Sequence, residues 1–445
     1  MNIMLKDPLE RSGTYKTKNW RGARLKFGVI SFLDRFPLIG ILTRRMWRIT
    51  KWLLLKFRWK LESIKARDYQ LDIDKTYWLN PQIIRYSSLK EFDIYKCKGK
   101  TIGGNWDRLE KKFEELDIYV ALKEVSVNGK KWDETVFYRR ILGRIKKGEF
   151  LWRCKNKSEL DQRCRSIEIL YHNIRNDGYK SQRELSIKDD YNPMRIDDEI
   201  TVCVGRYGDF LFSNSAHRLS IAKLVGIKKV PVKIAVRHPQ WVNFRKEVLL
   251  YTKKHGGKIY HPITHPDLCD VSPFHKSKDR YRIIKENLSV NKGKLLDIGA
   301  CWGYFCHKFE EEKFDCYAVE NDRENLYFLK TLKRAENRDL RIIPKSILEY
   351  QDIKNLCFDV VLALNIFHHF LKKKDTYYKF VNFLQNLRLK EMFFEPHLPN
   401  EPQMESAYKN YSNEEFVKFI IQNSSLKDAQ FIGEAEDGRK IYKLY

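Results

Sequence analysis

The segment that most constrains the fold runs from Lys294 to Glu320. Lys294-Leu295-Leu296-Asp297-Ile298 reads as a buried strand, because a short apolar run bounded by turn residues fits a strand covered on both faces. It enters Gly299-Ala300-Cys301-Trp302-Gly303, after which residues 304–312 read as a helix. Cys316-Tyr317-Ala318-Val319-Glu320 is the next strand, ending in an acid 23 residues after Asp297. Strand, glycine turn, helix, strand and terminal acid is the order of a nucleotide-type site. The glycines let backbone approach a ligand, and the acid accepts hydrogen bonds from ribose hydroxyls. The turn is G-x-x-x-G with an acid before it, not the G-x-G-x-x-G that a pyrophosphate needs. A ligand carrying a cationic sulfonium and an amino-acid tail tolerates that acid.

The pattern continues in order. Arg341-Ile342-Ile343-Pro344-Lys345-Ser346 reads as a third strand and its turn, and Phe358-Asp359-Val360-Val361-Leu362-Ala363-Leu364-Asn365 as a fourth. Glu391-Met392-Phe393-Phe394-Glu395 reads as a fifth, and residues 431–433 and 440–444 as a closing antiparallel pair. This succession resembles class I S-adenosylmethionine-dependent methyltransferases. The resemblance implies an α/β, Rossmann-like sheet and S-adenosyl-L-methionine as cofactor. It implies that Gly299, Ala300 and Gly303 shape the cofactor loop, that Glu320 takes the ribose, and that Asp297 lies near the methionine end. Ser346 and Ile347 become candidates at the adenine.

Asn365 ends the fourth strand, where such crevices open, and His368, His369, Glu395 and His397 lie nearby in sequence order. A hydroxyl acceptor needs a base, which His368, His369 or Glu395 could supply. An amine acceptor needs a positioning carbonyl, which Asn365 could supply. Ile366-Phe367-His368 follows Asn365, so the D/N-P-P-Y context of nucleic-acid amino methylases is missing. The stretches Phe394-Glu395-Pro396-His397 and Asp437-Gly438-Arg439-Lys440-Ile441-Tyr442 look loosely like methyltransferases that modify or cap surface polysaccharides.

A second informative block spans residues 199–236. Ile200-Thr201-Val202-Cys203-Val204 and Phe210-Leu211-Phe212 read as strands, Asn214-Ser215-Ala216-His217-Arg218 as a turn opening a helix that closes at Gly226, and Val230-Pro231-Val232 as the start of a last strand. Free backbone N–H groups and the dipole at a helix start favour an anion, and His217 and Arg218 add side-chain groups there. The bland alternative is that both cap the helix and pair with a nearby acid. The block resembles the ParB/sulfiredoxin fold, which implies an α+β domain whose turn binds nucleotide phosphates. By that likeness Asn214, Ser215, Ala216, His217 and Arg218 are the phosphate or nucleotide site, and a nucleoside triphosphate is a second candidate ligand. Asn214-Ser215 replaces the family's Asp-Gly, which weighs against phosphoryl transfer; Ala216 replaces the sulfiredoxin cysteine, which weighs against sulfinic-acid repair. Helices are expected over 107–116, 134–147 and 157–176, with Asp107 as an N-cap of the first.

The chain's 445 residues give a prior of two or three domains. Lys and Arg number 85 against 58 Asp and Glu, a formal charge of +27, which points to anionic partners without choosing among them. Residues 1–68 hold 17 Lys/Arg and 5 Asp/Glu. Residues 44–61 read as an amphipathic helix with Met46, Trp47, Leu53, Leu54, Phe57 and Leu61 on one face and Trp52 and Trp59 among the cations. That helix either packs on the next domain with a solvated basic face, lies on an anionic membrane surface, or binds nucleic acid. The nine cysteines are scattered without a C-x-x-C, His261, His265 and His275 match no standard metal spacing, and no metal is expected. No secretory segment or membrane span is read, so a cytoplasmic setting, peripheral to the membrane through the arm, is the expectation.

Four parts result: a basic arm (1–70), a ParB/sulfiredoxin-like domain (71–243), a connector (244–278) and a methyltransferase domain (279–445). The expected activity is methyl transfer to an oxygen of a glycan or lipid-linked glycan, with phosphorylation of the acceptor by the middle domain as a variant. The alternatives are a nucleic-acid-binding methyltransferase and a non-catalytic nucleotide-binding adaptor.

Overall fold

A computed structural model describes residues 46, 49–50, 52–62, 71–188, 198–398 and 400–445. Arg44, Arg45, Trp47, Arg48 and Lys51 of the expected arm helix lie outside these. Internal contacts divide the chain into two compact units, Met1–Lys246 and Glu247–Tyr445. The segment expected to be a connector therefore contributes most of its length to the second unit.

In the first unit, strands β1 (Tyr77–Leu79), β2 (Tyr86–Ser87), β3 (Lys100–Thr101), β4 (Ile200–Val204), β5 (Phe210–Asn214) and β6 (Val230–Arg237) form a mixed sheet in the order β1-β6-β4-β5-β2, with β3 also on β6. Every residue of β4 and β6 is buried, which accounts for the Val and Ile that recur along both. Helices α1 (Asp117–Ser126), α2 (Val136–Lys146), α3 (Lys157–Asp177) and α4 (Ala216–Val225) accompany the sheet. Asn156 caps α3 by accepting from Glu159 N at 2.9 Å, and Gly178 with φ +78° ends it. The helix expected over 107–116 does not form: that stretch is irregular apart from a short 3₁₀ turn at Phe113–Glu115. Asp107 caps nothing. Its buried carboxylate accepts from Arg206 N at 2.7 Å and from the Arg206 guanidinium at 2.7–3.1 Å, a long-range pair that local pattern does not reveal. The helix α5 (Pro239–Lys254) contains the boundary between the units, and α6 (Lys278–Glu286) follows it in the second.

The second unit is a seven-stranded sheet of β7 (Gly293–Ile298), β8 (Phe314–Val319), β9 (Arg341–Ile343), β10 (Cys357–Leu364), β11 (Arg388–Glu395), β12 (Ala429–Glu434) and β13 (Lys440–Leu444). The order is β12-β13-β11-β10-β7-β8-β9. The first five in sequence run parallel, and β13 pairs antiparallel with both β11 and β12. The chain fills one side of β7 with β8 and β9, then crosses to start the other side with β10, so a topological switch point lies beyond the carboxyl ends of β7 and β10. Alternation along the strands supplies two cores. Leu295, Val360 and Leu362 face one side, with Phe305 and Phe309 of α7 (Tyr304–Glu311). Leu296, Val361 and Ala363 face the other, with Phe380 and Phe383 of the helix α8 (Lys374–Asn386). Truncating the fully buried Phe380 to Ala costs about 3–5 kcal/mol.

Candidate active site

The chain reverses after β7 through Gly299, at φ +79°. A Cβ there would stand 2.8 Å from Ile366 Cδ1, and one on Gly303 (φ +86°) 2.7 Å from Leu329 Cδ1. Both positions need glycine for conformation and for space. Glu320, the residue after β8, ties the loop down: its carboxylate accepts from Cys301 N at 3.0 Å, Asn321 N at 2.8 Å and Asp322 N at 2.9 Å. Burial raises its pKa and the three backbone donors draw it back.

A cavity of about 590 Å³ opens at this switch point. Its wall includes seven of the eleven residues expected in the site: Gly299, Glu320, Ser346, Ile347, Asn365, His368 and His369. Ala300, Gly303, Asp297 and Glu395 are outside the lining. Ala300 and Gly303 belong to the loop itself, Ala300 buried and Gly303 close against Leu329. Asp297 is 3% exposed, meets only the Cys306 thiol at 3.6 Å, and is pushed up to about 7 by burial. Glu395 gives both oxygens to Arg280, at 2.6 and 3.2 Å, so it is not free to serve as a base. His397 is likewise buried and engaged with Asn410 at 2.8 Å.

Asn365 adopts φ +52°, a left-handed conformation that Asn tolerates better than most residues. Its amide nitrogen donates to Tyr260 Oη at 3.1 Å and its carbonyl accepts from Arg439 Nη1 at 3.1 Å. His368 is 2% exposed, and among the described residues neither ring nitrogen has a hydrogen-bond partner. Burial, then the neighbouring His369 and His397, push it down to about 3, so it is neutral at physiological pH. His369 is more open and is lowered by burial and Lys372.

Tyr251, Tyr260, Lys345 and Gln403 also line the cavity, and sequence reading assigned none of them. Tyr260 lies in the segment taken for a connector and meets its partner across 105 residues. The only local signal was a tyrosine among histidines and prolines.

The turn after β5 is built differently. Ser215 has φ +75°. Its amide donates to Asn214 Oδ1 at 2.7 Å, and its hydroxyl accepts from Arg218 Nη2 at 2.7 Å. Arg218 also reaches Asp198 Oδ1 at 3.4 Å and lies 3.8 Å from Glu199 Oε2, while burial pushes Glu199 up to about 7. The expected side-chain donor His217 uses Nε2 as an acceptor, from Trp152 Nε1 at 3.2 Å, which leaves its proton on Nδ1. Acid pairing is thus present at Arg218, whereas no side chain caps the helix start.

A parallel sheet with this strand order and a cavity at its switch point defines a Rossmann-like α/β domain, and residues 296–386 match a family described as a methyltransferase domain. The C-terminal unit therefore carries an S-adenosylmethionine-dependent methyltransferase domain. Among solved structures, the chain is similar to the bifunctional kinase-methyltransferase WbdD, with 18% identity over 44% of this chain and 45% of that one and a TM-score of 0.37. It is also similar to the methyltransferase domain of bacterial CtHen1 (15% identity, 38% of this chain and 98% of that one, TM-score 0.31). A third similarity is to the PH0226 protein of Pyrococcus horikoshii OT3 (11% identity, 38% and 88%, TM-score 0.29). The chain thus spans under half the length of the WbdD chain it matches. No curated protein matches it. Among the described residues, no helix is long and apolar enough to cross a membrane.

Proposed function

We propose that the C-terminal unit transfers a methyl group to a hydroxyl oxygen, and that the acceptor is a glycan or lipid-linked glycan. The observation that carries the oxygen assignment is His368: a neutral imidazole, buried in the cavity wall with both nitrogens unpaired. A buried polar group without a partner calls for an explanation, and an acceptor hydroxyl donating to it supplies one. The amine reading relied on the Asn365 carbonyl, which Arg439 already occupies.

S-Adenosyl-L-methionine supplies an activated methyl group. Glu320 accepts from its ribose hydroxyls while keeping its backbone donors, Gly299 lets the loop come close, and Ser346 and Ile347 border the adenine. With the cofactor bound, Asn365 would hold the Tyr260 hydroxyl beside the acceptor, and His368 would take the acceptor proton as the oxygen gains the methyl group and the sulfonium leaves as a neutral thioether. Positioning supplies most of the rate, because the methyl donor arrives activated. Asp297 stands behind the loop, where a carboxyl raised to about 7 adds little charge near the sulfonium.

We also propose that the turn of Asn214, Ser215, Ala216, His217 and Arg218 holds a phosphate, of a nucleotide or of a phosphorylated acceptor. Among the described residues, Arg163 Nε, Tyr179 Oη and Arg218 Nη1 are buried without hydrogen-bond partners, and these donors around the α4 start support an anion there. Phosphorylation of the acceptor by this domain is the further variant. The rival is a nucleic-acid methyltransferase, favoured by the +27 charge; it predicts binding to DNA or RNA at low salt that falls steeply as salt rises.

The test is methyl transfer from labelled S-adenosylmethionine to glycan and lipid-linked glycan acceptors. His368→Gln is expected to lower kcat by about 10²-fold or more, the usual contribution of a proton-accepting side chain, with cofactor affinity unchanged. Unaltered turnover in His368→Gln, or label appearing only in nucleic acid, contradicts the assignment.

A further inference from the structure

The helix over residues 52–62 is held to its unit along one side. Trp59 is buried with Ile73, and Leu55 and Leu71 pack beside them. Lys98 Nζ sits 4.0 Å above the Trp59 ring and bonds Asp74 Oδ1 at 2.6 Å, with its side chain 1% exposed. This reverses the orientation that the packing reading implies, one of the three left open. The tryptophan placed among the cations is the anchor, and the apolar face expected to pack is turned outward. Both sides of the helix are apolar enough to dock, and the cation–π cradle at Lys98 decides between them.

At 100° per residue, Leu53, Phe57, Leu61 and Leu54 fall within an arc of about 100°. They are between 47% and 67% exposed. Single exposed apolar residues are ordinary, but a row of four on one short helix marks an interaction surface. Lys60 borders the arc on one side and Arg58 on the other, and both are exposed. The single acid of the stretch, Glu62, lies toward the anchored side.

We infer that this face docks on an anionic lipid bilayer. The eleven residues of 52–62 make a rod of about 16 Å, too short to span a bilayer but long enough to lie in its interface. There the apolar arc enters the acyl boundary while the flanking cations meet headgroup phosphates. Charge complementarity chooses lipid over a protein groove: cations stand on both borders, no acid lies on the arc, and the first 68 residues carry 17 Lys/Arg against 5 Asp/Glu. The inference is independent of the chemistry assigned to the C-terminal unit.

Flotation of the full chain with vesicles tests it. The probes are phosphatidylcholine vesicles with and without about a third phosphatidylglycerol. The wild type is expected to float with the anionic vesicles and to bind the neutral ones at least about tenfold more weakly, since each nearby cation contributes. Leu54→Glu/Phe57→Glu is expected to lose anionic binding by about tenfold or more. These side chains are exposed, so the melting curve should not move. Arg58→Glu/Lys60→Glu, which leaves the apolar arc intact, should lose binding to anionic vesicles selectively. Failure of the wild type to float, or flotation of Leu54→Glu/Phe57→Glu equal to wild type, overturns the proposal. So does a wild-type dimer that Leu54→Glu/Phe57→Glu dissolves without any flotation, since the face would then join two copies of the chain.

Discussion

Two turns join a strand to a helix through the left-handed backbone region: residues 299–303 after β7 and 214–218 after β5. Gly299 and Ser215 have nearly the same φ, +79° and +75°. Around Gly299 the backbone faces a cavity of about 590 Å³. Around Ser215 the neighbourhood is taken by side chains: Arg218 on the Ser215 hydroxyl, Asp198 and Glu199 near Arg218, and Trp152 on His217. The same left-handed turn thus meets an open cavity in one unit and a set of charged side chains in the other. Residues distant in sequence decide what stands above it. Trp152 and Arg153 themselves have positive φ (52° and 61°), a cost of about 1–3 kcal/mol each that brings the indole to His217.

The contrast can be broken from either side. The largest effect is expected at Gly299→Ala. A left-handed alanine costs about 1–2 kcal/mol, and its Cβ meets Ile366 at 2.8 Å, which adds about 1–3 kcal/mol. Denaturant unfolding of the C-terminal unit should shift accordingly, with loss of cofactor binding; full binding in a stable Gly299→Ala protein would mean that the loop does not approach a ligand. A smaller effect is expected at Trp152→Phe, which removes the indole donor and leaves His217 Nε2 unpaired, about 1 kcal/mol from the N-terminal unit. Cofactor affinity should be untouched, and a change in it would show that the two turns are coupled.

A third effect is a pH slope inside the C-terminal unit. His368 is held near 3, below its ordinary 6.5. Its contribution to stability is complete above about pH 6.5 and is lost as pH falls toward 3. Asp297 is raised from 3.8 to about 7. Its contribution is complete at low pH and is lost as pH rises from about 4 to 7. The two oppose each other, so the His368→Gln variant, retaining only Asp297, should gain stability relative to wild type as pH falls from 6.5 to 4. The difference should approach about 1.4 kcal/mol per pH unit. Parallel pH–stability curves for the two proteins would remove His368 from the neutral buried state.

The order of the C-terminal strands was legible because each is a short apolar run punctuated by glycine, proline or a polar turn. Even the β12–β13 pair could be placed from residues 431–433 and 440–444. The middle strands β4, β5 and β6 were legible for the same reason. What stayed hidden depends on distant partners. Tyr260 reaches Asn365 across 105 residues, and Arg439 reaches it across 74. Glu395 and Asp107 look like free acids in sequence, yet each is bound to an arginine 115 or 99 residues away. In the arm, periodicity defines two apolar sides of one helix, but only the position of Lys98 tells which side is anchored.

The most direct test of the central assignment is equilibrium binding of S-adenosylmethionine to the full chain, by titration calorimetry, in wild type and Glu320→Gln. The substitution keeps the side-chain shape and an oxygen that accepts from Asn321 and Asp322, gives up the bond from Cys301 on the other oxygen, and removes the charge that strengthens hydrogen bonds from ribose hydroxyls. A fall in affinity of about tenfold, or about 1.4 kcal/mol, with an unchanged fold is the predicted result. Equal affinity in the two proteins, or no binding to the wild type, would contradict the account.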